Sequence, residues 1–319
     1  MMKNKKQRPK QGANCAKTSI GCVPLTDMKD LYLGKFSGGL YPVGNTIPEP
    51  HYNAGFWASS KVQPINGKYV LLSIGMSSTS FEFCRKPGGT LNPTPESFMS
   101  QARANANPNL VIVNGAYSSR TSEYWDSDGD TEYTRVNTLL KSVSLSESQV
   151  QAVWLKVVSK SRPQVSLPDE GADAYATVTV LGKIVRALKK RYPNLQQVFI
   201  SSRVYAGYSR LSNPLFPEPY SYEHGFAVKW FIEAQINQAA TGAIDPRAGD
   251  LSYSSAPWIG WGPYLWADGL KPRGDGLMWL CADFARGDGT HPSATGVKKV
   301  GGLLVDFFQT SPLTPWFRQ

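Results

Sequence analysis

Three residues of this 319-residue chain could together activate a hydroxyl group. Ser77 lies in Ser73-Ile74-Gly75-Met76-Ser77-Ser78-Thr79-Ser80, a small, hydroxyl-rich stretch that follows the apolar run Tyr69-Val70-Leu71-Leu72. Asp288 and His291 stand three apart in Arg286-Gly287-Asp288-Gly289-Thr290-His291-Pro292, far downstream. A serine hydroxyl is a weak nucleophile until an imidazole takes its proton, and the imidazole needs a carboxylate to fix its tautomer. The chain has only three histidines, so few bases compete for that role. Read locally, Ser77 could simply cap a helix. The distant Asp-x-x-His is what makes it a candidate nucleophile.

These side chains need a scaffold, and the hydropathy pattern supplies one. The Tyr69 run reads as a strand buried on both faces, and in an open α/β sheet chemistry collects beyond the carboxyl ends of the strands. Further strands are expected at residues 109–114, 151–158 and 197–202 and within the aromatic segment 257–266. Helices are expected at 96–103, 132–141, 173–192, 223–237 and 292–308. The clearest is 173–192, where Ala174, Val178, Leu181, Val185 and Leu188 form one stripe and the cations gather in the last turns. Alternating strands and helices without internal repeats predict one three-layer α/β/α domain over residues 68–319. Residues 1–67, rich in Gly, Pro and Asn, read as a basic leader and an arm wrapping that domain. Arg120, Arg203, Tyr205, Tyr208 and Trp266 fall near strand exits and are candidates to line a substrate cleft. His51 reads as a surface residue of the arm, and His224 as a helix-start or surface histidine.

Charge and cysteine usage narrow the function classes. The formal net charge is +10, but Lys3, Lys5, Lys6, Arg8, Lys10 and Lys17 supply six of those charges in a leader without Asp or Glu. The body then carries little excess, which argues against a nucleic-acid partner. No apolar run reaches membrane-spanning length and no signal-type apolar segment opens the chain, so no membrane partner is expected. Cys15 and Cys22 could form a local disulfide, with Cys84 and Cys281 far apart; no spacing suggests a metal site. Asp126-Ser127-Asp128-Gly129-Asp130 fails the calcium-loop pattern at its glycine and at its twelfth position, and reads as a solvated turn. The aromatic load and the loop prolines suit a secreted or periplasmic enzyme that handles glycans.

The early Ser77 and the late Asp288-x-x-His291 resemble the SGNH (GDSL-type) hydrolase superfamily, whose motif order is followed from about residue 66 to 310. The family's Gly-Asp-Ser reads Gly75-Met76-Ser77 here, and the glycine of its second motif falls on Ser119. Its third motif, Gly-x-Asn-Asp, is absent where the third strand ends. The resemblance implies a flavodoxin-like fold with a five-stranded parallel sheet and serine esterase chemistry without metal or organic cofactor. In that chemistry Ser77 attacks, His291 shuttles the proton and Asp288 orients His291. The backbone N–H groups of Ser77 and Ser119 would hold the oxyanion, with Lys156 a candidate replacement for the missing Asn. Many members deacetylate carbohydrates, so a carbohydrate O-acetylesterase acting on a small-molecule or glycan ester is the first expectation. A degenerate domain that binds glycans without turnover is the alternative. Oligomeric state is left open.

Overall fold

A computed structural model describes residues 12–84, 92–160, 164–212 and 214–318. Lys3 to Lys10 of the basic leader lie outside the described residues. Five strands form one all-parallel sheet: β1 (Tyr69–Gly75), β2 (Leu110–Asn114), β3 (Val150–Lys156), β4 (Gln197–Ile200) and β5 (Trp258–Trp261). Their spatial order is β2-β1-β3-β4-β5, the flavodoxin-like order. Val150 to Lys156 is buried at every position and β1 at all but its first, which explains why their central runs, Val70–Leu72 and Ala152–Leu155, are apolar without alternation.

Among the described residues seven helices accompany the sheet: α1 (Glu49–Ser60), α2 (Ser77–Phe83), α3 (Phe98–Ala102), α4 (Thr131–Ser142), α5 (Asp173–Arg191), α6 (Tyr220–Thr241) and α7 (Ala294–Thr310). α5 packs against α6, and α7 against α2 and α3. Right-handed crossovers put these two groups on opposite faces of the sheet, completing the α/β/α sandwich. The apolar stripe of α5 is buried and its last turn holds Lys189, Lys190 and Arg191. Among the described residues no helix is long and apolar enough to cross a membrane.

Within the arm, helix α1 is the element that the sequence reading lacks. Its buried residues are His51, Gly55 and Ser59, while Phe56 and Trp57 face solvent. The apolar stripe that signals a helix is therefore missing. The expectation that His51 lies on the surface is corrected for the same reason. Its ring stacks on Trp258 with centroids 5.1 Å apart, and its Nε2 lies 2.9 Å from the Ile259 carbonyl. Burial lowers its pKa to about 4, so it is neutral.

The rest of the arm is pinned from several directions. The Asp268 carboxylate accepts from the Ser19 hydroxyl and from the N–H groups of Ile20 and Gly21. Trp261 Nε1 donates to the Leu40 carbonyl at 2.6 Å. A disulfide joins Cys15 to Cys281, replacing the local Cys15–Cys22 pairing considered above and leaving Cys22 a free thiol. Next to that bridge, Ala13 N–H donates to the Arg286 carbonyl at 2.9 Å. The arm is thereby fastened to the loop that carries Asp288.

Candidate active site

The sheet order reverses between β1 and β3, and the exits of these two strands build the site. In register, Gly75 of β1 faces Lys156 of β3. Gly75 has φ +155°, and a Cβ there would lie 2.3 Å from the Lys156 carbonyl oxygen. Only glycine lets β1 run that close to β3 and then turn at once into α2. Ser77 is the first residue of α2, where the N–H groups of the opening turn have no acceptor within the helix.

The loop before α7 comes back across this edge. Ser77 Oγ lies 2.8 Å from His291 Nε2, and His291 Nδ1 lies 2.6 Å from Asp288 Oδ2. Asp288 Oδ1 accepts from the N–H groups of Thr290 at 2.8 Å and His291 at 3.0 Å. The carboxylate thus holds both its own loop and the imidazole. Burial pushes the Asp288 carboxyl up, but donation from the His291 ring and the two N–H groups outweighs it and brings the pKa down to about 2.

A depressed carboxyl contributes stability that is present above its unfolded value of 3.8 and is lost as pH falls toward about 2. That contribution is on the order of 2 kcal/mol. Asp288→Asn should remove it, so that between pH about 4 and about 2 the variant loses less stability than the wild type. Urea unfolding across that window checks this; parallel losses in both proteins would show that Asp288 is not held so strongly.

Ser119 occupies the turn that follows β2. Its φ is +63°, the left-handed region, and Arg120 N–H donates to the Tyr117 carbonyl at 3.2 Å across the turn. The backbone adopts a conformation suited to glycine although the residue is serine. Ser119→Gly should leave stability unchanged or slightly raised, and Ser119→Val should cost about 1 to 2 kcal/mol. Thermal unfolding of the two variants reads this directly, and equal melting temperatures would contradict it.

Lys156 does not reach the oxyanion position expected of it. Its side chain is fully buried, and its ammonium lies 2.5 Å from both oxygens of Glu82 on α2. Burial lowers its pKa to about 8 against the pull of Glu82, so it keeps its proton at neutral pH. The Lys156 carbonyl also accepts from Thr79 Oγ1 at 2.6 Å. Lys156 therefore ties α2 to β3 by side chain and backbone together, and acts as a positioning residue.

The expected cleft residues divide. Arg120 is partly exposed, paired with Glu132 at 2.6 Å and set over Tyr124 at 4.8 Å. Arg203 is buried, with Nη1 3.4 Å from Ser78 Oγ, next to Ser77 in the first turn of α2. Tyr205, Tyr208 and Trp266 are corrected: all three are fully buried. Tyr205 and Tyr208 donate to the carbonyls of Lys17 and Trp279, and Trp266 Nε1 donates to Glu218. These aromatics bind the arm and later loops to the sheet edge and offer no face to a ligand. His224 is corrected as well: it lies in the second turn of α6, neither at the helix start nor on the surface, and is buried with Nε2 3.0 Å from the Val157 carbonyl.

Two residues near the centre escape the sequence reading. Phe81 lies one helical turn after Ser77, and its ring centroid is 5.7 Å from that of His291. It walls the His291 imidazole, and the i, i+4 spacing from Ser77 was the available signal. Glu82, the partner of Lys156, has no such signal.

No protein-family model and no curated protein sequence matches the chain. Among solved structures, it is similar to an extracellular lipase from Streptomyces rimosus at 16% identity, over 74% of this chain and 97% of that one, with a TM-score of 0.36. It is also similar to a carbohydrate acetylesterase from Sinorhizobium meliloti at 16% identity, over 75% and 97% of the two chains, with a TM-score of 0.39. A catalytic mutant of an acetylxylan esterase from Geobacillus stearothermophilus is similar at 14% identity, over 79% and 97%, with a TM-score of 0.37.

Proposed function

We propose that the chain is a serine ester hydrolase of SGNH type that removes acetyl groups from carbohydrate. The observation that carries this reading is the relay from Ser77 Oγ through His291 to Asp288, at 2.8 and 2.6 Å. His291 Nε2 takes the Ser77 proton as Oγ attacks the ester carbonyl, and Asp288 holds the Nδ1–H tautomer and the imidazolium that forms. The oxyanion of the tetrahedral intermediate lies against the backbone N–H groups of Ser77 and Ser119. His291 then returns the proton to the departing sugar hydroxyl, leaving an acetyl group on Ser77. A water activated by the same imidazole releases acetate.

Acetylated carbohydrate as substrate finds support in the acetylesterases among the similar structures. The Cys15–Cys281 bridge supports work in an oxidising compartment, outside the cytosol. Glycan binding without turnover is the second reading, favoured by the missing Asn donor where β3 ends. One experiment separates them. The protein is incubated with a fluorophosphonate, the adduct is mapped by mass spectrometry, and acetate release is measured on acetylated xylooligosaccharides and on p-nitrophenyl acetate. Labelling at Ser77 with acetate release from the sugar supports the first reading. A protein that stays unlabelled and releases no acetate supports the second.

A further inference from the structure

The edge of the sheet opposite Ser77 carries a second, separate pocket. Gln196 precedes β4, Pro257 precedes β5 and Lys189 lies in the last turn of α5, so all three sit where the strands begin rather than where they end. A seven-residue strand such as β1 spans roughly 20 Å, which places this pocket well away from the catalytic loop. It has a volume of about 340 Å³ between α1, α5 and the loop entering β5, and is lined by Trp57, Lys61, Lys189, Gln196, Tyr253 and Trp258 among others.

Its chemistry is uneven in a way that core packing does not require. Trp57 is 68% exposed and Tyr253 44% exposed, two large rings left open around one concavity. A single exposed aromatic is ordinary, but here two share the pocket with two ammonium groups. No acidic side chain lines it. Among the described residues neither Lys61 nor Lys189 has a carboxylate partner; Lys189 Nζ donates only to the Leu195 carbonyl at 3.1 Å. Burial and the nearby charge of Lys61 both lower the Lys189 pKa, so the two cations are close enough to disfavour each other. An anion between them would relieve that repulsion.

We propose that this pocket is a non-catalytic site for an acidic oligosaccharide, a sugar ring lying on Trp57 with its carboxylate between Lys61 and Lys189. The open rings distinguish this ligand from a bare phosphate, which has no apolar face to stack. The concave shape distinguishes it from a membrane surface, and the volume suits one or two sugar rings. Gln196 and Tyr253 also line the pocket and bring an amide and a hydroxyl, groups that bond sugar hydroxyls. The proposal rests on the carbohydrate reading of the catalytic site. A polymer held here would raise the local concentration of its ester groups at Ser77 without any new contact there.

The test measures binding of tetragalacturonate, neutral xylotetraose and phosphatidylglycerol vesicles to the full chain by calorimetry. Trp57→Ala and Lys61→Glu are measured beside the wild type, with p-nitrophenyl acetate hydrolysis as a separate assay. Tetragalacturonate should bind, each substitution should weaken it about tenfold or more, and hydrolysis of the small ester should stay unchanged. Absence of tetragalacturonate binding, binding unaffected by both substitutions, or equal binding of xylotetraose would each overturn the proposal. Binding to vesicles alone would also overturn it and assign the patch to an anionic membrane. An inactive protein that still binds through Trp57 and Lys61 would refute the esterase and keep the pocket; an active one that binds no acidic sugar would do the reverse.

Discussion

Replacing Ser77 by Ala is expected to lower kcat/KM on p-nitrophenyl acetate by about 10⁴-fold or more, with little change in thermal unfolding. Ser77 is partly exposed and among the described residues its hydroxyl bonds only to His291 Nε2, so its loss opens no cavity and strands no buried group. His291→Ala should cost a similar factor. Because the two residues act as a unit, the double variant should be little worse than either single one. Asp288→Asn should fall by about 10⁴, since an amide at 2.6 Å from Nδ1 favours the wrong tautomer. Steady-state kinetics on the four proteins checks the set. A Ser77→Ala enzyme working at the wild-type rate would remove Ser77 from the mechanism, and additive losses in the double variant would remove the relay.

The second large effect concerns the buried Lys156–Glu82 pair that ties α2 to β3. Lys156→Ala leaves the Glu82 carboxylate buried with its ammonium partner gone, which typically costs about 3 to 5 kcal/mol. Glu82→Leu should cost a similar amount by stranding the ammonium. The combined Lys156→Met/Glu82→Leu variant should recover most of the loss, because an apolar pair avoids the desolvation of two charges. Activity should follow a different order. Glu82 lies five residues after Ser77 on the same short helix, so losing the tie to β3 should lower kcat even where stability is restored. Urea unfolding and kinetics across the cycle separate the two effects. A Lys156→Ala protein within about 1 kcal/mol of wild type would show that the pair does not hold α2.

Ser77, Asp288 and His291 were legible because each sits in a short local pattern, a strand end or an Asp-x-x-His, whose chemistry depends on residue type and spacing alone. The five strands were legible for a related reason. A strand buried on both faces is apolar along most of its length, and that pattern survives in one dimension. What the sequence could not decide was which polar and aromatic residues face the site. Tyr205, Tyr208 and Trp266 follow strand ends as cleft residues would, yet their polar atoms are spent on Lys17, Trp279 and Glu218. Aromatic side chains serve core and ligand equally well, and only exposure separates the two uses.

Lys156 illustrates the same limit with charge. A lysine at a strand end is usually solvated, and its burial here depends on Glu82 arriving from a helix 74 residues away in sequence. Helix α1 was hidden because it buries His, Gly and Ser and exposes Phe56 and Trp57, inverting the pattern by which helices are recognised. The sequence by itself therefore determined the alternation of elements and singled out Ser77, Asp288 and His291 as candidates. The tertiary structure alone decided their 2.8 and 2.6 Å contacts, the Cys15–Cys281 bridge and the side chains that face solvent. These depend on partners that are distant along the chain, and their pairing becomes definite only when the strands and helices pack.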